Sequence, residues 1–194
     1  MKILLVGYTI PNTPVKGMGL GISRYIYYLG KELMKMGHEV ELIVRDDFKP
    51  KEKWIKTAHA PKLGWYPYPF FLRMQLKEKQ ADVFNADYVV TGAPLAWLNK
   101  KPLVVAVHDA LPFQYNLEKL SLKDKMFVKF FNMCFNSVKK KADAIIMRSE
   151  SAREEILKST NLDEDKVFVV SGGIDPNFFY PTKKKQHDKI RIGY

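Results

Sequence analysis

The sequence predicts an α/β fold with a doubly wound parallel sheet, and three observations predict it. Strand-like and helix-like runs alternate along nearly the whole chain, several of the strands are apolar without interruption, and glycine-rich or polar residues stand at their C-terminal ends. Uninterrupted apolar strands need cover on both faces, which helices on either side of a parallel sheet provide.

The first strand is Lys2-Ile3-Leu4-Leu5-Val6-Gly7-Tyr8, followed by the glycine-rich loop Gly17-Met18-Gly19-Leu20-Gly21. An amphipathic helix then begins near Ile22, because Ile22, Ile26, Leu29, Leu33 and Met36 recur at alternating helical spacings and Gly37 follows as a C-cap. Glu39 to Val44 alternates and then turns fully apolar, as a partly buried strand does, which completes a βαβ unit. Between Arg45 and Pro69 the chain is rich in Lys, Pro and aromatics, with one short strand near Ile55 to His59. Its stretch from Trp65 to Phe71 reads either as an exposed aromatic patch for a membrane or lipid acceptor, or as a long loop packed onto the domain.

Phe70 to Lys79 reads as a helix, Asp82 to Asn85 as a strand, and Pro94 to Leu98 as a helical turn. Leu103 to Val107 is a buried strand with His108 and Asp109 just beyond it, where open α/β sheets bind ligands. The capping box Ser121-Leu122-Lys123-Asp124 opens a helix whose Phe127, Phe130, Phe131, Cys134, Phe135 and Val138 face a core and whose end carries Lys139 to Lys141. Ala142 to Met147 is the next strand, and Ser151-Ala152-Arg153-Glu154 resembles a second capping box, opening a helix to Ser159. The last strand, Val167 to Val170, ends in the tight turn Ser171-Gly172-Gly173-Ile174-Asp175-Pro176. Thr182 to Lys189 reads as a linker, and Ile190 to Tyr194 as the start of a strand belonging to a further domain.

A chain of 194 residues suits one well-buried domain. Its single cysteine excludes an internal disulfide framework and favours a reducing compartment. The first apolar run is too short for an export signal, and no window approaches a membrane span, which implies a cytoplasmic chain. A formal net charge of +11 favours anionic partners: phosphorylated substrates, anionic headgroups at a membrane periphery, or nucleic acid, for which no recognised module is present. No His, Asp or Cys cluster has metal-ligand spacing, so no metal cofactor is expected.

The glycine-rich loop is placed where backbone N–H groups and a helix N-terminus can receive a phosphate. Its pattern is G-x-G-x-G and a stretch containing Pro11 and Pro14 separates it from the strand, unlike the dinucleotide fingerprint, while a lysine P-loop is absent. By themselves these residues leave open a phosphate cradle, a merely flexible loop, a non-catalytic ligand-binding module and an NAD-binding domain.

Four further passages narrow the choice. Together with the Gly17-to-Ile22 loop, the run Leu33-Met34-Lys35-Met36-Gly37-His38-Glu39-Val40, the pair His108-Asp109, the strand Ala142 to Ile146 with Ser149, and the turn Ser171 to Asp175 with Phe179 and Pro181 resemble, in order and spacing, the N-terminal half of the GT-B retaining glycosyltransferases of family four. Gly172 departs from that pattern, which has asparagine there. The resemblance implies a Rossmann-like, acceptor-side domain over residues 1–181 and, over 182–194, a linker and the start of a C-terminal domain that this chain lacks. It implies sugar transfer from a nucleotide-sugar donor to a hydroxyl acceptor, possible only with that second domain and without metal. Gly17, Gly19, Gly21, Gly173 and Asp175 would border the donor diphosphate and substrate, and His108 and Asp109 would be the catalytic pair. His38 and Cys134 read as structural.

Overall fold

The computed structural model describes residues 1–11, 20–45, 50–59, 67–108, 113, 118 and 120–173. Within these the chain runs β1 (Lys2–Val6), α1 (Leu20–Lys35), β2 (Glu39–Arg45), β3 (Ile55–Ala58), α2 (Tyr68–Leu76), β4 (Val83–Ala86), α3 (Val89–Trp97), β5 (Leu103–Ala106), α4 (Leu122–Lys141), β6 (Ala144–Met147), α5 (Glu150–Ser159) and β7 (Val167–Val169). All seven strands are parallel, in the order β3-β2-β1-β4-β5-β6-β7. The order reverses between β1 and β4, and right-handed crossovers running outward from that point put α1 on one face and α2 to α5 on the other.

Two cores record this division. Ile26 of α1 is buried among Ile3, Leu5, Val40, Leu42 and Val44, while Leu72, Ala93, Phe131 and Ile156 from the other helices cover Leu4, Val6, Phe84, Val105 and Ile145. Adjacent strand residues therefore serve opposite faces, and each fully buried Leu, Ile or Phe contributes roughly 1.5–3 kcal/mol. Cys134 lies inside the second core, where burial pushes its thiol up to about 12, so it acts as a small hydrophobe.

The caps largely follow the sequence. Gly37 takes φ +86°, and the main-chain N–H groups of Gly37 and His38 donate to Met34 and Leu33, closing a Schellman end to α1. His38 caps through its backbone rather than its imidazole. Ser121 Oγ accepts from the Asp124 N–H to open α4. α5 opens one residue pair earlier than the sequence predicts: Ser149 Oγ, not Ser151, is the cap, accepting from Ala152 N–H. The end of β6 at Met147 fixes this choice, since the chain must turn at once.

Two other expectations are corrected. α1 begins at Leu20 rather than near Ile22, which takes Gly21 out of the loop and into the first helical turn; at the other end, Met36 lies beyond the helix and is 72% exposed. The turn expected at Pro94 is the last part of a nine-residue helix, α3, buried from Val89 to Ala96. The aromatic segment from Trp65 to Phe71, for which two readings stood open, is described only from Pro67 onward; there Tyr68 is fully buried and its hydroxyl donates to the Gly7 carbonyl at 3.2 Å, while Phe70 is 50% exposed and stacks on Trp97. The linker and terminal strand read from Thr182 to Tyr194 lie outside the described residues.

Candidate active site

The C-terminal ends of β1, β4, β5 and β6 and the turn after β7 share one edge of the sheet, and the first turns of α1 rise beside them. At the point where the strand order reverses, Asp87 follows β4 and is fully buried. Its N–H donates to the Val6 carbonyl, and its carboxylate accepts from Tyr8 N–H at 3.2 Å and from Thr91 Oγ at 2.7 Å. Burial pushes this carboxyl up to about 7, against the opposing pull of the Thr91 and Tyr8 hydrogen bonds. Gly7 is required here because a Cβ would lie 3.1 Å from Asp87 Oδ2 and 3.2 Å from Ile26 Cγ2.

His108, half-buried past β5, places Nε2 2.8 Å from the main-chain oxygen of Asp87. A carbonyl only accepts, so Nε2 carries the proton. The ring makes a T-shaped contact with Tyr25 at a centroid distance of 5.6 Å and lies tilted against Tyr88 at 6.4 Å. Tyr25 comes from the second turn of α1, one helical turn after Gly21, and the Arg148 guanidinium sits 4.5 Å from its ring centroid. Burial raises the Tyr25 phenol, with Arg148 opposing and Asp87 adding to the rise. Gly172 closes the series: a Cβ there would lie 2.6 Å from Arg148 Nη2, so the glycine that departs from the family pattern leaves room for this arginine.

Of the residues singled out in the sequence, His108, Gly21 and Gly173 are described. Gly21 and Gly173 have open space where a Cβ would point, and they flank the Tyr25–Arg148 pair in the chain. Gly17, Gly19, Asp109 and Asp175 lie outside the described residues. Asp87, Tyr25 and Arg148 were not among the candidates. The signal that marked His108, a polar side chain directly after a buried parallel strand, also marks Asp87 and Arg148. Tyr25 had no such marker, since it lies between two positions of an apolar stripe.

A seven-stranded parallel sheet with polar residues gathered at the switch-point edge defines an α/β domain of the kind that forms one half of a GT-B enzyme. The family model described as Glycosyltransferase Family 4 matches residues 20–178, and the chain belongs to that family. Among curated proteins, it is 24% identical to the O-antigen chain mannosyltransferase RfbU of Salmonella typhimurium, the alignment covering 71% of this chain and 36% of that one. It is likewise 24% identical to the uncharacterized glycosyltransferase MJ1607 of Methanocaldococcus jannaschii, covering 91% of this chain and 47% of the relative. The chain thus spans half or less of the length of these relatives.

Solved structures with the same fold include sucrose-phosphate synthase from Thermosynechococcus elongatus, with a TM-score of 0.67 at 15% identity over 93% of this chain and 50% of that one. Another is Anabaena HepE in complex with UDP and glucose, with a TM-score of 0.60 at 17% identity over 91% of this chain and 46% of that one.

Proposed function

We propose that this domain, over residues 1–181, is the N-terminal, acceptor-side half of a retaining glycosyltransferase that moves a sugar from a nucleotide-sugar donor to a hydroxyl acceptor. The observation that carries this reading is the family match over residues 20–178 within a sheet that covers about half of each structural relative. A cleft between two such halves would have one wall here, and residues 182–194 would lead into the other.

In this reading the N–H groups of Gly17, Gly19 and Gly21 face the leaving diphosphate, where fixed donors stabilise charge that develops in the transition state. His108 and Asp109 face the donor sugar or the acceptor hydroxyl, and Gly173 and Asp175 border the cleft. The ring plane of His108 is set by the Asp87 carbonyl and the T-shaped contact with Tyr25, so the imidazole reaches the cleft already oriented. No step calls for a metal.

The net charge of +11 supports an anionic acceptor, and in this reading that acceptor is lipid-linked and the protein works at the cytoplasmic membrane periphery. Among the described residues no helix is long and apolar enough to cross a membrane.

The test is a donor-binding and turnover series on residues 1–194. UDP and other nucleoside diphosphates are titrated calorimetrically, and nucleotide sugars are incubated with candidate acceptors. Saturable diphosphate binding without turnover is expected. Robust turnover by this chain alone would refute its role as one half of the site, and saturable NAD binding with no diphosphate binding would refute the transferase reading. Cosedimentation with anionic liposomes, weakening as salt rises, checks the membrane contact.

A further inference from the structure

Two hydrogen-bond donors at the site edge have no hydrogen-bond partner among the described residues. Arg148, half-buried past the end of β6, makes no ion pair or hydrogen bond among the described residues and is held only by its stacking on Tyr25 at 4.5 Å. The Tyr25 hydroxyl, which feels both Arg148 and Asp87, likewise has no hydrogen-bond partner among the described residues. A guanidinium with five N–H groups and, among the described residues, no carboxylate paired with it is costly to hold half-buried unless something anionic visits it.

The surroundings are shaped for a visitor. Gly172 admits the guanidinium by having no Cβ, which would lie 2.6 Å from Nη2. Gly21, one turn before Tyr25 on the same face of α1, and Gly173, next to Gly172, both have open space where a side chain would stand. His108, in T-shaped contact with Tyr25, bounds the same space at 5.6 Å between ring centroids.

We propose that Tyr25 and Arg148 form a subsite for a phosphate group, which Arg148 receives with its planar fork and Tyr25 with its hydroxyl, while Gly172 keeps the approach open. Only the identity of the molecule that brings the phosphate rests on the transferase reading. It is either the diphosphate of the donor or a phosphate ester carried by the acceptor. Bidentate N–H groups on phosphate oxygens give short, charge-assisted bonds, and stacking on Tyr25 fixes the plane of the fork before the ligand arrives.

Inorganic phosphate is the probe, titrated into the 194-residue chain at constant ionic strength and followed by amide chemical shifts; UDP is titrated in a parallel arm. The wild type is expected to show saturable shifts at Tyr25, Arg148 and Gly172. Arg148→Gln should weaken phosphate binding by about tenfold or more, and Arg148→Lys, which keeps the charge and loses the fork, by an intermediate factor. Tyr25→Phe should weaken it several-fold, and Gly172→Asn, which puts a side chain where Nη2 lies, should weaken it as well. Gly172→Asn leaves both donors in place and so tests the geometry if the Arg148 variants misfold.

UDP binding lost together with phosphate binding in Arg148→Gln would assign the subsite to the donor diphosphate. UDP binding kept while phosphate binding is lost would assign it to the acceptor. An Arg148→Gln variant that titrates phosphate like the wild type, or a wild type with no saturable response, would overturn the subsite. Phosphate binding that depends on Arg148 in a chain that binds no nucleoside diphosphate would count against the transferase reading and leave the subsite standing.

Discussion

His108 and Asp87 meet across neighbouring strands through a side chain and a backbone: Nε2 of His108 donates to the main-chain oxygen of Asp87 at 2.8 Å. Asp87's own carboxylate turns the other way, into the protein, toward Tyr8 N–H and Thr91 Oγ. One residue thus aims the imidazole with its backbone and ties β1, β4 and α3 together with its side chain. Whatever disturbs the carboxyl disturbs the platform on which His108 sits.

Asp87 should make the domain lose stability as pH rises. Its folded value, about 7, lies above the ordinary 3.8, so between those values the folded state binds more protons than the unfolded one. Stability is then fully present below pH 3.8, falls through that window by up to about 1.4 kcal/mol per pH unit, and is level above it. Asp87→Asn mimics the protonated form and should flatten the dependence. Thermal midpoints of both proteins at pH 5, 6, 7 and 8 check this, with roughly 2–4 °C expected per kcal/mol. Parallel curves for the two proteins would refute the assignment.

Thr91→Val removes two bonds with one change. Thr91 Oγ donates to Asp87 and accepts from Tyr88 N–H at 3.1 Å, so valine takes a hydrogen bond from a buried acceptor and another from the N-cap amide of α3. A loss of about 1–3 kcal/mol is expected in urea denaturation. Because the Thr91 bond lowers the Asp87 value, its removal should also carry the pH-sensitive window upward. A loss that is the same at pH 5 and pH 8, with the window unmoved, would show that the hydroxyl does not act on the carboxyl.

The strands were legible because the apolar runs Leu103 to Val107 and Val167 to Val170 can be little else than strands, the second with Phe168 and Val170 each 50% exposed, and α1 was legible from its stripe. α3 was not, and the reason is physical. A helix buried from Val89 to Ala96 has no polar face, so it shows no 3.6-residue period, and Gly92 and Pro94 inside it resemble loop punctuation. The site divides in the same way. His108 was visible because it ends an obvious strand, whereas Asp87, at the end of the short β4, acquires its meaning from contacts to Tyr8 and Thr91 that only the fold creates. Arg148 sat within a recognised passage, yet its role depends on Tyr25 and Gly172, which are far from it in sequence.

Gly92 is glycine because α3 lies directly on β5. A Cβ there would fall 2.9 and 3.0 Å from the two Val105 methyls and 3.4 Å from Ala86 Cβ, and Val105 is fully buried with nowhere to go. Gly92→Ala gains about 1 kcal/mol in helix propensity but incurs about 1–3 kcal/mol of overpacking. A net loss of up to about 2 kcal/mol is expected in denaturant unfolding. The substitution should also shift α3 outward and with it the Thr91 bond to Asp87, seen as a smaller pH dependence of stability. A stabilised variant would mean that the helix and strand have slack that the geometry denies.

His108→Ala separates support from chemistry. The imidazole donates a hydrogen bond to the Asp87 carbonyl and makes ring contacts with Tyr25 and Tyr88, so its loss should cost about 1 kcal/mol and a few degrees of thermal midpoint. If His108 also contacts the donor sugar or the acceptor as proposed, turnover by the enzyme that carries this domain should fall far more than stability does. A drop in kcat of about 100-fold or more is expected, the scale of losing one donor that serves the transition state. The Michaelis constants should move less than kcat, because an interaction made only in the transition state does not contribute to ground-state binding. His108→Asn keeps a donor near the Asp87 carbonyl but shortens the reach into the cleft, so it should recover the thermal midpoint and not kcat. A kcat within twofold of the wild type in both variants would leave His108 as a strut between Asp87 and Tyr25 and move the chemistry to residues farther along the cleft.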